Sequence, residues 1–281
     1  MNLFNIINEI EKIDPEFNDK LNPRRAAIKN ITSFGSKVTL ASLPFAFGTM
    51  LKRAYAADTA TPGVIEILNF ALTLEYLESS FYNLATGNGT AIPADTLPYF
   101  TTIRDDENKH VSFLQSAIAT LGGTPATSPK FDFSGGSGTL TGPFADVFTN
   151  YDTFLKVALI FEDTGVRAYK GQASNLLGNK NILTAVLSIH AVEARHASAI
   201  RQILKISPWI TSTATLGNDT GISLADANYQ GEENTIQGGL DVTKLPSLTG
   251  GTTNIAVATA AFDEPLSMDQ VQNLIKIFIA P

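Results

Sequence analysis

Two tetrapeptides pair a carboxylate with an imidazole three residues apart: Glu107-Asn-Lys-His110 and Glu193-Ala-Arg-His196. Residues at that spacing share one helix face, so each motif would present an oxygen and a nitrogen donor together. They take up two of the chain's three His. Upstream of each stands a Glu in an apolar setting, Glu75 in FALTLEYLESSFY and Glu162 in VALIFEDTGVRAY. A lone carboxylate among Leu, Phe and Ile is costly unless it is paired or bound to a metal. One Glu from each of two helices and a Glu-x-x-His from each of two others make the ligand set of a dinuclear carboxylate centre. Four carboxylates would also balance two divalent ions. The competing reading is a core network in which the same polar residues only bond one another.

An internal repeat underlies the pattern. Ala71-Leu72 stands at the same offset from Glu75 as Ala158-Leu159 from Glu162, and Tyr82 and Tyr169 each follow their Glu by seven residues. Glu75 and Glu107 are 32 residues apart, Glu162 and Glu193 31 apart. Ser112 and Ser198 each follow the motif His by two. The middle of the chain reads as two copies of one helix pair, each supplying half of a pseudo-twofold site. Tyr82, Tyr169, His190 and Glu78 are candidates for the shell around it. Glu78 lies one turn from Glu75 and is an alternative ligand, but Glu75 is preferred because the repeat sets Gly165, which cannot ligate, opposite Glu78. A solvated face suits Glu78 and a core edge suits His190. Asp106 and Asp163 flank ligands and point elsewhere, so they are candidates for orienting a ligand on a neighbouring helix. Arg104, Arg167, Arg195 and Arg201 are expected to pair with acids at the bundle surface.

The elements that must position these residues are four helices. The first starts at Thr61-Pro62, a cap residue followed by Pro, and runs to Gly87. The second runs from about Thr96 to Gly122-Gly123. Residues 123–143, rich in Gly, Pro, Ser and Thr, read as a long crossover. The third helix is expected over 145–174 and the fourth over 181–205, before Pro208. The fold class is all-α: a four-helix bundle over 57–210 with one long crossover. Residues 1–56 form an N-terminal extension and 211–281 an irregular wrap ending in a short helix. Within that wrap 254–262 reads as a short strand or packing segment, and Ser267-x-x-Gln270 as a capping box.

Composition bounds the rest. The 281 residues carry 27 acidic and 20 basic side chains, a net charge of -7, spread as +2 over 1–60, -3 over 61–210 and -6 over 211–281. That balance gives no support for nucleic-acid binding. With no Cys, a disulfide scaffold, thiolate zinc site, cysteine-ligated iron–sulfur cluster and Cys nucleophile are excluded. No Gly-rich nucleotide fingerprint follows a strand. Residues 1–13 read as a short amphipathic helix. Arg24-Arg25, an apolar run over 38–51 and Ala54-Tyr55-Ala56-Ala57 then have the parts of a twin-arginine export signal with cleavage after Ala56. That implies export machinery as a partner and a periplasmic or otherwise exported protein; a retained helical extension on a cytoplasmic protein is the alternative.

Residues 62–205, with LNFALTLEYLESSFY, DDENKHVSFL, FEDTGVRAYKG and HAVEARHASAIRQI, resemble the ferritin-like superfamily. Within it, together with AAFDEPLSMDQVQNLIKIFI near the end, they are similar to the bacterial ferritin-like branch that includes desiccation-related proteins. The resemblance implies a metal centre with Glu75 and Glu162 as terminal or bridging ligands, Glu107 and Glu193 as the other carboxylate pair, and His110 and His196 as one imidazole per ion. It implies iron or manganese as cofactor and dioxygen or peroxide as the small oxidant, as in the superfamily's manganese catalases. A non-catalytic metal-binding or storage protein, and an exported stress-protective protein using the bundle only as scaffold, are the alternatives.

Overall fold

A computed structural model describes residues 62–87, 91–211, 217–246 and 252–281. The expected N-terminal amphipathic helix, the paired arginines and the expected cleavage after Ala56 lie outside the described residues. Four long helices form the bundle: α1 (Pro62–Ala85), α2 (Leu97–Thr120), α3 (Tyr151–Ala173) and α4 (Lys180–Ile203). α1 packs along α2 and α3 along α4, and the two hairpins meet through α1 against α3 and α2 against α4. No described helix is long and apolar enough to cross a membrane.

The third helix starts later than the expected 145. Asn150 caps it, its side chain accepting from the backbone N–H of Asp152 at 3.1 Å and Thr153 at 3.4 Å. Residues 142–149 are turns that carry Phe144 and Val147 into the core. The cap satisfies two of the N–H groups that the first turn leaves open, which fixes the start at Tyr151. The crossover between α2 and α3 is irregular but tightly held. Buried Asp132 accepts from Ser134 Oγ at 2.6 Å, Gly138 N at 2.7 Å and Leu140 N at 3.1 Å. The chain's end clamps it from outside, with Asp132 N donating to Phe278 O and Ala280 N to Lys130 O.

The C-terminal wrap contains a short antiparallel pair, β1 (Ile236–Gln237) and β2 (Leu240–Asp241), then α5 (Ile255–Ala260) and α6 (Met268–Ile275). Within 254–262 the chain is thus helical over Ile255–Ala260, started by Asn254, whose side chain accepts from Val257 N at 2.9 Å. The capping box at α6 is complete: Gln270 N donates to Ser267 Oγ and Ser267 N to Gln270 Oε1. Val271 and Ile275 of α6 are buried against the bundle. The wrap also meets the bundle backbone to backbone. A Cβ added at Gly171 would lie 1.9 Å from Leu266 O, so only Gly fits there.

Arg167 and Arg201 are buried, not surface residues as expected. Arg167, fully enclosed, pairs with Glu232 at 2.8 Å and donates to the carbonyls of Asn228, Gln230 and Glu264. Arg201 joins Asp163 at 2.6 Å and Asp219 at 3.0 Å. Glu232 and Asp219 come from the wrap, whose polar composition hides the fact that it closes over helix faces, while Asp163 comes from α3. Arg104 does pair at the surface, with Asp105.

Candidate metal centre

The four helices bring all six sequence-derived donors together midway along the bundle. Glu75 on α1, Glu107 on α2, Glu162 on α3 and Glu193 on α4 have no exposed surface; His110 and His196 retain 8% and 5%. Two groups result. One donor atom from each of Glu75, Glu107, His110 and Glu193 lies within 4.8 Å of the others, and the same holds for Glu107, Glu162, Glu193 and His196. Glu107 and Glu193 belong to both groups, the position of carboxylates shared between two ions. Glu75 with His110, and Glu162 with His196, serve one group each.

The donors converge without satisfying one another. His196 Nδ1 approaches Glu107 Oε1 to 2.8 Å and Glu162 Oε2 to 3.3 Å. Yet both nitrogens of His196, Glu107 Oε1, Glu162 Oε2 and both oxygens of Glu193 have no hydrogen-bond partner. Buried polar atoms left unpaired are strongly disfavoured. Atoms aimed at common points, and poorly aligned with each other, are what cation ligands require, so the donor set fits a pair of metal ions. His110 Nδ1 lies 3.0 Å from Glu107 Oε2 and 3.2 Å from Glu75 Oε2.

The surrounding shell is cross-wired. Tyr82 of the first hairpin donates to Glu162 Oε1 of the second at 2.6 Å, and Tyr169 of the second donates to Glu75 Oε1 of the first. Each phenol therefore fixes the free oxygen of the other half's carboxylate. Glu78 is only 2% exposed, which overturns its expected solvated face. Gly165 explains how it fits: a Cβ there would stand 2.8 Å from Glu193 Oε2 and 3.1 Å from Glu78 Oε1. The Glu/Gly pairing in the repeat was the available signal, since one half offers a long side chain where the other offers none. Glu78 belongs to neither donor group. His190 is no part of the shell: its Nδ1 donates to Val166 O at 3.0 Å, so the ring is directed at the α3 backbone. Asp163 also turns away, accepting from Arg201 Nη2 at 2.6 Å and Tyr229 Oη at 2.7 Å.

Asp106 does meet a ligand. Its Oδ2 lies 3.5 Å from His196 Nε2, and that imidazole, helped by Lys109, brings the Asp106 carboxyl down to about 2. A carboxylate on the outer nitrogen fixes the orientation of a metal-binding imidazole. The repeat sets Val192 where Asp106 stands in the first hairpin, so nothing at that position braces His110. The two positions are therefore unequal. Asp106→Asn is expected to weaken one of the two binding steps about 10–100-fold and leave the other unchanged, in calorimetric titration with Mn(II). Equal weakening of both steps, or of neither, would contradict this.

Electrostatics set a pH dependence. Burial, reinforced by Glu75, pushes Glu107 up to about 7. Burial and the neighbouring Glu107 and Glu75 push Glu193 well above the carboxylate range. Burial opposes charge on both imidazoles, but Glu75 beside His110 and Glu162 beside His196 outweigh it and hold them above the usual value. The metal-free centre thus carries protons that an ion must displace. Because Glu107 is raised, the stability it contributes to the metal-free fold is present below 4.5 and lost as pH climbs to about 7. Metal affinity runs the other way. It should increase from about pH 5 to 8 with net proton release, measured by calorimetry in buffers of different ionisation enthalpy. A pH-independent affinity would refute the assignment.

Helical hairpins enclosing four carboxylates and two imidazoles define a bundle protein built around a dinuclear donor set. Residues 63–205, about half of the chain, match the family model described as a ferritin-like domain. The chain belongs to that family. A search of curated proteins returns no match.

Proposed function

We propose that the centre holds two divalent ions, iron or manganese, and reacts with dioxygen or peroxide in oxidative or desiccation stress. The observation that carries this is the pair of overlapping donor groups sharing Glu107 and Glu193, with Glu107 Oε1, Glu162 Oε2, both oxygens of Glu193 and His196 Nδ1 otherwise unsatisfied. Oxygen-rich donors with one imidazole per position suit these ions better than copper or structural zinc. When bound, two ions changing by one electron each would supply the two electrons that reduce peroxide to water. The chain's own residues do the rest. Glu107 and Glu193 hold the pair together, Tyr82 and Tyr169 fix the two outer carboxylates, and Asp106 sets the ring of His196. Leu72, Leu114 and Ile200, each one turn from a donor on its own helix, are fully buried. Protein reconstituted anaerobically with Fe(II) or Mn(II) should consume peroxide or dioxygen. His196→Ala should lower that rate by more than about 100-fold, since removing even a group that braces a ligand costs 10–100-fold. Turnover that survives the substitution, or a loaded protein inert to both oxidants, would refute the reading.

A further inference from the structure

A buried carboxylate beside the centre is left over. Glu78 lies in neither donor group, and its Oε2 has no hydrogen-bond partner among the described residues. It lines a cavity of about 10 Å³ between α1, α3 and the wrap, the room that a single water-sized molecule takes. Gly165 of α3 lines the same cavity, and a Cβ there would stand 2.8 Å from Glu193 Oε2 and 3.1 Å from Glu78 Oε1. The inner end therefore borders the metal centre. Leu274 and Ile275 of α6 and Phe278 just beyond it close the other side. Ile275 and Phe278 are buried, while Leu274 is half-buried and reaches the surface.

The described lining is apolar apart from Glu78, Thr164 and Asn228. Thr164 and Asn228 are engaged with each other: Thr164 Oγ1 donates to Ile160 O at 2.6 Å and accepts from Asn228 Nδ2 at 2.8 Å. That bond also ties the wrap to α3 beside the cavity. Glu78 Oε2 remains, a buried oxygen that is costly to leave unpaired. The matching occupant is small, neutral and able to hydrogen-bond. An ion would have to shed its water among Leu, Ile and Phe side chains. Dioxygen has the size but no O–H to offer Glu78. An alkyl hydroperoxide has the O–H but not the size.

We propose that this cavity is a docking site for hydrogen peroxide, entered beneath α6 with Leu274 as the outer gate. The proposal rests on the redox reading above and chooses between the oxidants that it leaves open. Peroxide donates an O–H to Glu78 Oε2 and lies against Gly165, next to Glu193. No bond is made or broken there: Glu78 holds the molecule, and the apolar walls select it by size.

The test uses the full chain, first without metal and then loaded with Fe(II) or Mn(II), with metal content measured. Crystals of the metal-free wild type should show an ordered water against Glu78 Oε2 that is absent from Glu78→Leu. The loaded wild type should prefer hydrogen peroxide to tert-butyl hydroperoxide by more than about 100-fold in kcat/KM. Leu274→Ala, at a half-buried position that tolerates the loss, should raise kcat/KM for the bulky peroxide about tenfold or more and leave hydrogen peroxide unchanged. Glu78→Leu should raise KM for hydrogen peroxide about tenfold, the effect of one lost hydrogen bond, with metal content unchanged. Glu78→Gln, which keeps a hydrogen-bonding end, should restore it. A cavity without an ordered molecule, equal use of both peroxides, or kinetics indifferent to Leu274→Ala and Glu78→Leu overturns the docking site and leaves the metal reading standing. So does a loaded protein that consumes dioxygen but not peroxide. A loaded protein inert to both oxidants overturns both.

Discussion

A Glu107→Ala/Glu193→Ala double variant will lose its metal: inductively coupled plasma mass spectrometry should find about two iron or manganese ions per wild-type chain and none in the variant. The size of the effect follows from sharing. Glu107 and Glu193 are the only residues in both donor groups. Removing them leaves each position one carboxylate and one imidazole, Glu75 with His110 and Glu162 with His196. Two donors are too few to hold a divalent ion against its hydration. Removing Glu75 or Glu162 alone touches one position only, so the double variant discriminates a shared centre from two separate ones. Metal retained in the variant would show that the ions sit elsewhere. No metal in either protein after anaerobic reconstitution would leave the bundle as a scaffold.

Arg167→Met will destabilise the fold by about 3–5 kcal/mol, the cost of breaking a buried ion pair from one side. Arg167 and Glu232 have no exposed side-chain surface and stand 2.8 Å apart. The guanidinium also holds three carbonyls of the wrap. Met fills much of the volume but leaves the buried Glu232 carboxylate without its counter-charge and the carbonyls of Asn228, Gln230 and Glu264 without the guanidinium that they accept from. Urea unfolding measures the loss. Adding Glu232→Gln to the variant should recover part of it, because the orphaned charge is then gone. A loss below about 1 kcal/mol, the range of exposed pairs, would mean that the pair is not buried in solution.

The donor set was legible in the sequence because it is local. Glu-x-x-His fixes its own geometry once a helix forms, and the repeat aligned Glu75 with Glu162. The cross-wiring was not. Nothing in the order of residues says that Tyr82 reaches Glu162 and Tyr169 reaches Glu75, since that depends on how the hairpins face each other. Glu78 was misplaced because its repeat counterpart Gly165 cannot ligate, which left it to read as a solvated face residue, whereas Gly165, 87 positions on, makes room for it inside. The start of α3 was set too early: Phe144 and Val147 stand at helical spacing, but the Asn150 side chain caps the helix only at Tyr151. Arg167 and Arg201 looked like surface charges because Glu232 and Asp219, which help to bury them, lie in a segment with no periodicity to announce burial, and nothing local says that Asp163 of α3 turns toward Arg201 of α4.

The wrap also bears on time. Tyr229 closes on Asp163 across 66 residues, and Arg167 on Glu264 across 97. Asp163 comes from α3 and Arg201 from α4, so the seat for Tyr229 exists only once those helices have paired. Contacts that span such lengths form after local ones, because loop closure must be met first. Interactions made after the rate-limiting step leave folding speed alone and slow unfolding. The tail is thus a latch fitted last: it lengthens the period for which a closed bundle stays closed and does not delay the bundle's formation.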